Sequence, residues 1–213
     1  MKTFRNSRTT SVTIASSENL GAKLSIWCNN AGVTITPNSF YISTRDGISL
    51  RMLQWSSVDE SPGIPILLIH GLASNARLWD GVAEHLVDLG HYVVAIDQRG
   101  HGQSSKPDDG FDMSTVAHDL ELFITQLGLH RPVVAGQSWG ANVVIELAAR
   151  APHLVRGVCA VDGGTIQLQK HFPEWETCEQ QLRPPNLLGT PATRLEGAIR
   201  AHHSDWPEAG IRG

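Results

Sequence analysis

Cysteine is scarce in this 213-residue chain. The three present, Cys28, Cys159 and Cys178, are too few and too unevenly placed for a disulfide framework or a zinc site. That usage fits a reducing, cytoplasmic setting. Runs of lysine or arginine are missing, and a formal net charge of -4 gives no reason to expect nucleic acid or a membrane surface as a partner. No uninterrupted apolar stretch approaches the length of a membrane span. Neither a metal-ligand pattern nor a cofactor motif is present, so neither group is expected. What is there is an ordinary globular balance, 41% hydrophobic and 18% charged, long enough for one domain with a sizeable core.

Residues 1–37 read differently from the rest. They are rich in Ser, Thr and Asn, and basic at Lys2, Arg5 and Arg8 before the first acid at Glu18. Without the apolar h-region of a secretory signal or the amphipathic face of a transit peptide, this stretch is expected to be a poorly ordered extension.

From Ser39 onward the pattern sharpens. Phe40 to Thr44, Asp46-Gly47 and Ile48 to Trp55 read as a hairpin with its turn. Ile64 to Ile69 and Tyr92 to Ile96 are apolar without alternation, which predicts strands buried on both faces. Between them, Trp79 to Leu89 has helical spacing and Gly90 as its stop. Ser114 is read as the cap of a second helix ending before Gly128. Pro132 to Gln137 reads as a strand, Trp139 to Arg150 as a helix stopped by Pro152, and Val155 to Val161 as a further strand. Alternating strands and helices with short connections predict an α/β fold, a mainly parallel sheet with helices on both faces. In such a sheet, chemistry sits at the carboxyl ends of the strands.

Three loops fall at those ends: His70-Gly71-Leu72-Ala73-Ser74, Asp97 to Ser104, and the turn around Ser138. In the last, Gly136 and Gly140 lie two residues to either side of Ser138. This G-x-S-x-G spacing between a strand and a helix marks a nucleophile elbow, in which larger residues would collide and the serine is held strained with its hydroxyl outward. The helix that follows points free N–H groups and the positive end of its dipole at the reacting centre.

With these three loops, the chain resembles the α/β-hydrolase superfamily from about Ser39 to Asp162. The matching residues are His70-Gly71, Asp97-x-Arg99-Gly100-His101-Gly102-x-Ser104, and Gly136-Gln137-Ser138-Trp139-Gly140. The resemblance implies Ser138 as nucleophile and an oxyanion hole built from the backbone N–H groups of Leu72 and Trp139. Acyl transfer puts negative charge on the carbonyl oxygen, so preoriented donors at those positions suit the chemistry. Gly71 lets its loop approach closely. His70 and His101 are expected to order their loops rather than act as general base, because triads of this fold run Ser, acid, His. Arg99 is expected to brace its loop through a carboxylate, and Trp79 to belong to the core. Asp162, by default a loop-capping aspartate in Asp162-Gly163-Gly164, is also the candidate triad acid.

After Gly164 the sequence resembles only the start of a helical cap, with helices expected at Pro173 to Leu182 and Thr193 to His202 around a Pro184-Pro185 break. The expected organisation is therefore an extension (1–37), an α/β-hydrolase core (38–164) and a partial cap (165–213). The family continues with further strands, an acid and a histidine. Their absence leads us to expect a truncated product, its catalytic histidine beyond Gly213 and the sheet edge after Val161 unpaired. The implied activity is hydrolysis of a small-molecule ester, lactone, amide or related acyl bond. The alternatives are a non-catalytic truncated relative or a small-ligand-binding module of the same fold, and a transferase or cofactor-free peroxidase using the same serine. A serine at the elbow argues against epoxide hydrolases and haloalkane dehalogenases, whose nucleophile is an aspartate.

Overall fold

Two four-residue strands, Ile66–Ile69 and Val93–Ile96, are buried at every position, because neither face of the sheet they occupy meets water. A computed structural model describes residues 11–15, 20–25, 36–44, 46–55, 63–164, 168–183, 189–202 and 204, with the backbone alone at 11–15, 20–25, 168 and 202. Its strands are β1 Ser11–Ala15, β2 Leu20–Ser25, β3 Asn38–Ser43, β4 Ser49–Trp55, β5 Ile66–Ile69, β6 Val93–Ile96, β7 Val133–Gln137 and β8 Gly157–Val161. They form one sheet in the order β2-β1-β8-β7-β5-β6-β4-β3. The central four, β8-β7-β5-β6, run parallel, and both flanks are antiparallel.

Side chains alternate between the two faces. Leu67, Ile69, Val94, Ile96 and Val134 pack with Val116, Leu120 and Phe123 of helix α2 (Met113–Gln126) and Val143 and Leu147 of helix α3 (Trp139–Arg150). Leu68, Val93, Ala95 and Ala135 face the other way, onto the 3-10 turn Ala76–Trp79 and helix α1 (Asp80–Asp88). Trp79 is buried in that second layer. Helices thus cover both faces, as the unbroken apolar strands require.

Several expectations need correction. Asp112, not Ser114, caps α2: its carboxylate accepts from the Thr115 N–H at 3.0 Å and the Thr115 hydroxyl at 2.6 Å. Ser114 lies inside the helix, and its hydroxyl accepts from Arg150 at 2.7 Å. The edge at Val161 is not left bare either. β1 pairs antiparallel with β8, Ile14 opposite Cys159, and β2 completes a hairpin outside it. The stretch expected to be a poorly ordered extension therefore supplies two strands.

The chain divides into two compact units, residues 1–164 and 165–213. The second contains α4 (Leu168–His171), α5 (Trp175–Leu182), whose one buried side chain among its described residues is Cys178, and α6 (Ala192–His202). The Pro184-Pro185 break lies outside the described residues, as does Cys28. No helix among the described residues is long and apolar enough to cross a membrane.

Candidate active site

β7 leads into α3 through a single residue. Ser138 has φ 51 and ψ −116, a backbone conformation that L-residues with a side chain rarely adopt. The turn is held by two main-chain bonds: Ser138 N–H donates to Val161 O at 2.9 Å, and Ala141 N–H to Ser138 O at 3.0 Å. Its side chain makes no capping bond to α3, so the hydroxyl is not consumed by the helix.

Sterics show why glycines surround it. A Cβ on Gly136 would strike the Gly140 carbonyl and lie 2.6 Å from Ala141 N, and one on Gly140 would lie 2.5 Å from both Ile69 O and His70 O. These contacts are with backbone, which cannot swing aside. Gly163 is a third case: its Cβ would strike the Ser138 carbonyl and come 2.8 Å from Ser138 Cα.

Gly71 brings the first loop onto the elbow. A Cβ there would run into Gln137 Oε1 and approach Ser138 Cβ to 3.1 Å. Leu72 follows at once, exposed, and its N–H has no acceptor among the described residues. The N–H of Trp139, first in α3, has no intrahelical partner by construction. The Trp139 side chain leans on the core beneath α3.

His70 is wholly buried and fully engaged. Gln98 N–H donates to its Nε2 at 3.0 Å, which leaves Nδ1 as the protonated nitrogen, and Nδ1 donates to Gly71 O at 2.7 Å. Burial holds its pKa down at about 4, so the ring is neutral. The His101 ring lies against it tilted by 56°, ring centroids 5.0 Å apart, with Nδ1 3.0 Å from Arg99 O. Neither nitrogen of His70 is free to take a proton from Ser138.

The second loop is braced by buried charge. Arg99 grips Asp119 of α2 with both Nε, at 2.6 Å, and a terminal nitrogen, at 2.7 Å, and reaches Asp46 in the β3–β4 turn at 3.3 Å. The Asp119 carboxylate raises the Arg99 pKa further. Asp97, wholly buried, accepts from Ala76 N–H at 2.7 Å, Gln103 N–H at 2.8 Å and Arg51 at 3.1 Å. It ties the end of the first loop to the second, a role its place in the sequence pattern did not disclose.

Asp162 follows β8 directly and is exposed with φ 50, beside the bond that Val161 makes to the elbow. The structure thus gathers Ser138, Trp139, Gly136, Gly140, His70, Gly71, Leu72 and the Asp162-Gly163 turn at the carboxyl ends of β5, β7 and β8. Arg99 and His101 stand behind them. Gly163 and Asp97 were missed as positioning residues. The Asp162-Gly163-Gly164 run was the available signal for the first, and the second needed the fold. Among the described residues, no group of three or more His, Cys, Asp or Glu side chains is placed to hold a metal.

Residues 64–206 match the family model of the alpha/beta hydrolase fold. A 2-(acetamidomethylene)succinate hydrolase of Mesorhizobium japonicum is 35% identical over 49% of this chain and 37% of its own length. A non-heme chloroperoxidase of Streptomyces lividans is 34% identical over 52% of this chain and 39% of its own. The crystal structure of epoxide hydrolase A from Mycobacterium thermoresistibile superposes with a TM-score of 0.51 at 32% identity, over 56% of this chain and 37% of that one. The chain therefore spans well under half the length of these relatives.

Proposed function

The chain belongs to the α/β-hydrolase fold family, and on that premise we propose that it is a serine hydrolase acting on a small-molecule ester, lactone, amide or related acyl bond. The observation that carries this reading is the strained backbone of Ser138, φ 51, with the 70–72 loop pressed against its Cβ through Gly71. Strain of this kind persists only where the surroundings impose it, and it supports a serine presented to the Leu72 and Trp139 amides.

In the proposed reaction Ser138 Oγ attacks the acyl carbon and gives its proton to a general base. The carbonyl oxygen takes the negative charge and accepts from Leu72 N–H and Trp139 N–H, each donor worth about 3–4 kcal/mol of barrier. The tetrahedral intermediate collapses as the leaving group takes the proton, and water then releases the acyl group by the same steps. We assign the base to a histidine following the acid in chain order, not to His70. Asp162 is the proposed acid. No metal, cofactor, nucleic acid or membrane partner enters the scheme. A cytoplasmic setting is supported by the buried free thiols of Cys159 and Cys178.

The test is covalent labelling of the intact chain by a fluorophosphonate. Labelling of wild type and none of Ser138→Ala supports the assignment. An unlabelled wild-type chain overturns it and leaves a small-ligand-binding relative of the same fold. The chloroperoxidase relative favours one second reading, a cofactor-free peroxidase with hydrogen peroxide in place of water at the acyl-enzyme. Product analysis of a p-nitrophenyl ester reaction with and without peroxide separates the two.

A further inference from the structure

We propose that Gln98 is a positioning residue for acyl transfer at Ser138, its side-chain amide fixing the His70 carbonyl against Gly140 and so setting the separation of the two oxyanion donors. The inference deepens the serine-hydrolase reading and rests on it.

Gln98 lies between two residues whose side chains are already committed, Asp97 to Arg51 and two backbone amides, and Arg99 to Asp119. Its backbone is thereby pinned on both sides. From that anchor it makes two bonds to one residue of the other loop: its N–H to His70 Nε2 at 3.0 Å and its side-chain Nε2 to His70 O at 2.7 Å.

The consequence follows from peptide planarity. Each peptide unit is flat and here trans, so its carbonyl and N–H point in opposite directions. His70 Nδ1 holds Gly71 O at 2.7 Å, and this orients the Leu72 N–H in the same unit. Gln98 holds His70 O, and this orients the preceding unit. Two consecutive planes leading to Leu72 are thus fixed, one by the His70 ring and one by the Gln98 side-chain amide, and the Gln98 N–H in turn bonds that ring. The His70 carbonyl is also where the two loops meet, since a Cβ on Gly140 would lie 2.5 Å from it. Gly140 follows Trp139, whose amide is the other donor. One carbonyl therefore couples both halves of the proposed hole.

Core packing alone does not account for a glutamine here. Its Oε1 is buried with no partner among the described residues, a poor arrangement for a residue that only fills space. A methionine would occupy nearly the same volume without the orphaned oxygen. What it would lack is the donor to His70 O.

The test compares Gln98→Met and Gln98→Glu with wild type in fluorophosphonate labelling and p-nitrophenyl ester hydrolysis. For Gln98→Met the labelling rate and kcat should fall about 10- to 100-fold with KM within about two-fold, because a donor shifted by a fraction of an ångström loses transition-state binding. Gln98→Glu keeps the shape but donates to His70 O only when protonated, and burial favours the protonated form. Its rate relative to wild type should therefore rise as pH falls. Wild-type rates in Gln98→Met, a loss confined to KM, or a Gln98→Glu deficit that is flat with pH each overturn the positioning role while leaving Ser138 as nucleophile. An unlabelled wild-type chain instead removes both.

Discussion

Gly71 and Ser138 stand so close that a methyl group on the first would sit 3.1 Å from the Cβ of the second and collide with Gln137 Oε1. Gly71→Ala should therefore push the first loop off the elbow. Glutamine can rotate away, so the fold should survive, but the displaced Leu72 amide should lower the labelling rate of Ser138 about 100-fold. Labelling kinetics beside a thermal melt would check both halves.

Strain at Ser138 predicts a variant that gains stability by losing function. At φ 51 and ψ −116, glycine is at ease where any side chain is not. Ser138→Gly should stabilise the fold by about 1 kcal/mol after the greater chain entropy of glycine is counted, whereas Ser138→Ala keeps the Cβ and the strain. Urea denaturation of the two variants would show the difference, and neither should label.

Asp97 is wholly buried and satisfies three partners at once, Arg51, Ala76 N–H and Gln103 N–H. Asp97→Ala leaves Arg51 without its carboxylate and two amides without an acceptor, and removal of one member of a buried pair costs about 3–5 kcal/mol. Loss of cooperative unfolding, or a midpoint lowered by many degrees, is the expected outcome.

Stability should depend on pH through two groups of opposite sign. Burial lowers the His70 pKa from 6.5 to about 4, so between those values the unfolded chain binds a proton that the folded chain does not. Stability therefore rises with pH across that window and is lost as pH falls through it, by an amount on the order of 3 kcal/mol. Burial raises the Asp80 pKa from 3.8 to about 6, so there the folded chain keeps a proton the unfolded chain has released, and stability falls as pH rises. His70→Gln should flatten the loss on acidification, and Asp80→Asn should deepen it. Denaturation midpoints taken between about pH 4 and about pH 7 would resolve the two.

Local chemistry made the elbow legible. Small residues two positions either side of Ser138, a strand before and a proline at Pro152 define α3 as Trp139–Arg150, the helix expected from the sequence. The buried strands were equally plain, because a sheet covered on both faces leaves no alternation to misread. The cap of α2 was not, since Asp112 and Ser114 are both good capping residues and only the position of the first helical turn separates them. Gln98 was invisible for a different reason: its partner His70 lies in another loop, and no spacing rule connects them. The pairing of β1 with β8 was hidden likewise, in a stretch whose composition resembles an extension.

That last pairing has a consequence for synthesis. Residue 14 finds its neighbour only when residue 159 has been made and β8 has docked on β7. Closing so long a loop is entropically late, so the amino-terminal hairpin waits on the ribosome with a bare flank while the parallel centre assembles. Strands made long before their neighbour are buttressed late, which leaves them open in a nascent molecule to capture by a chaperone or by a second chain.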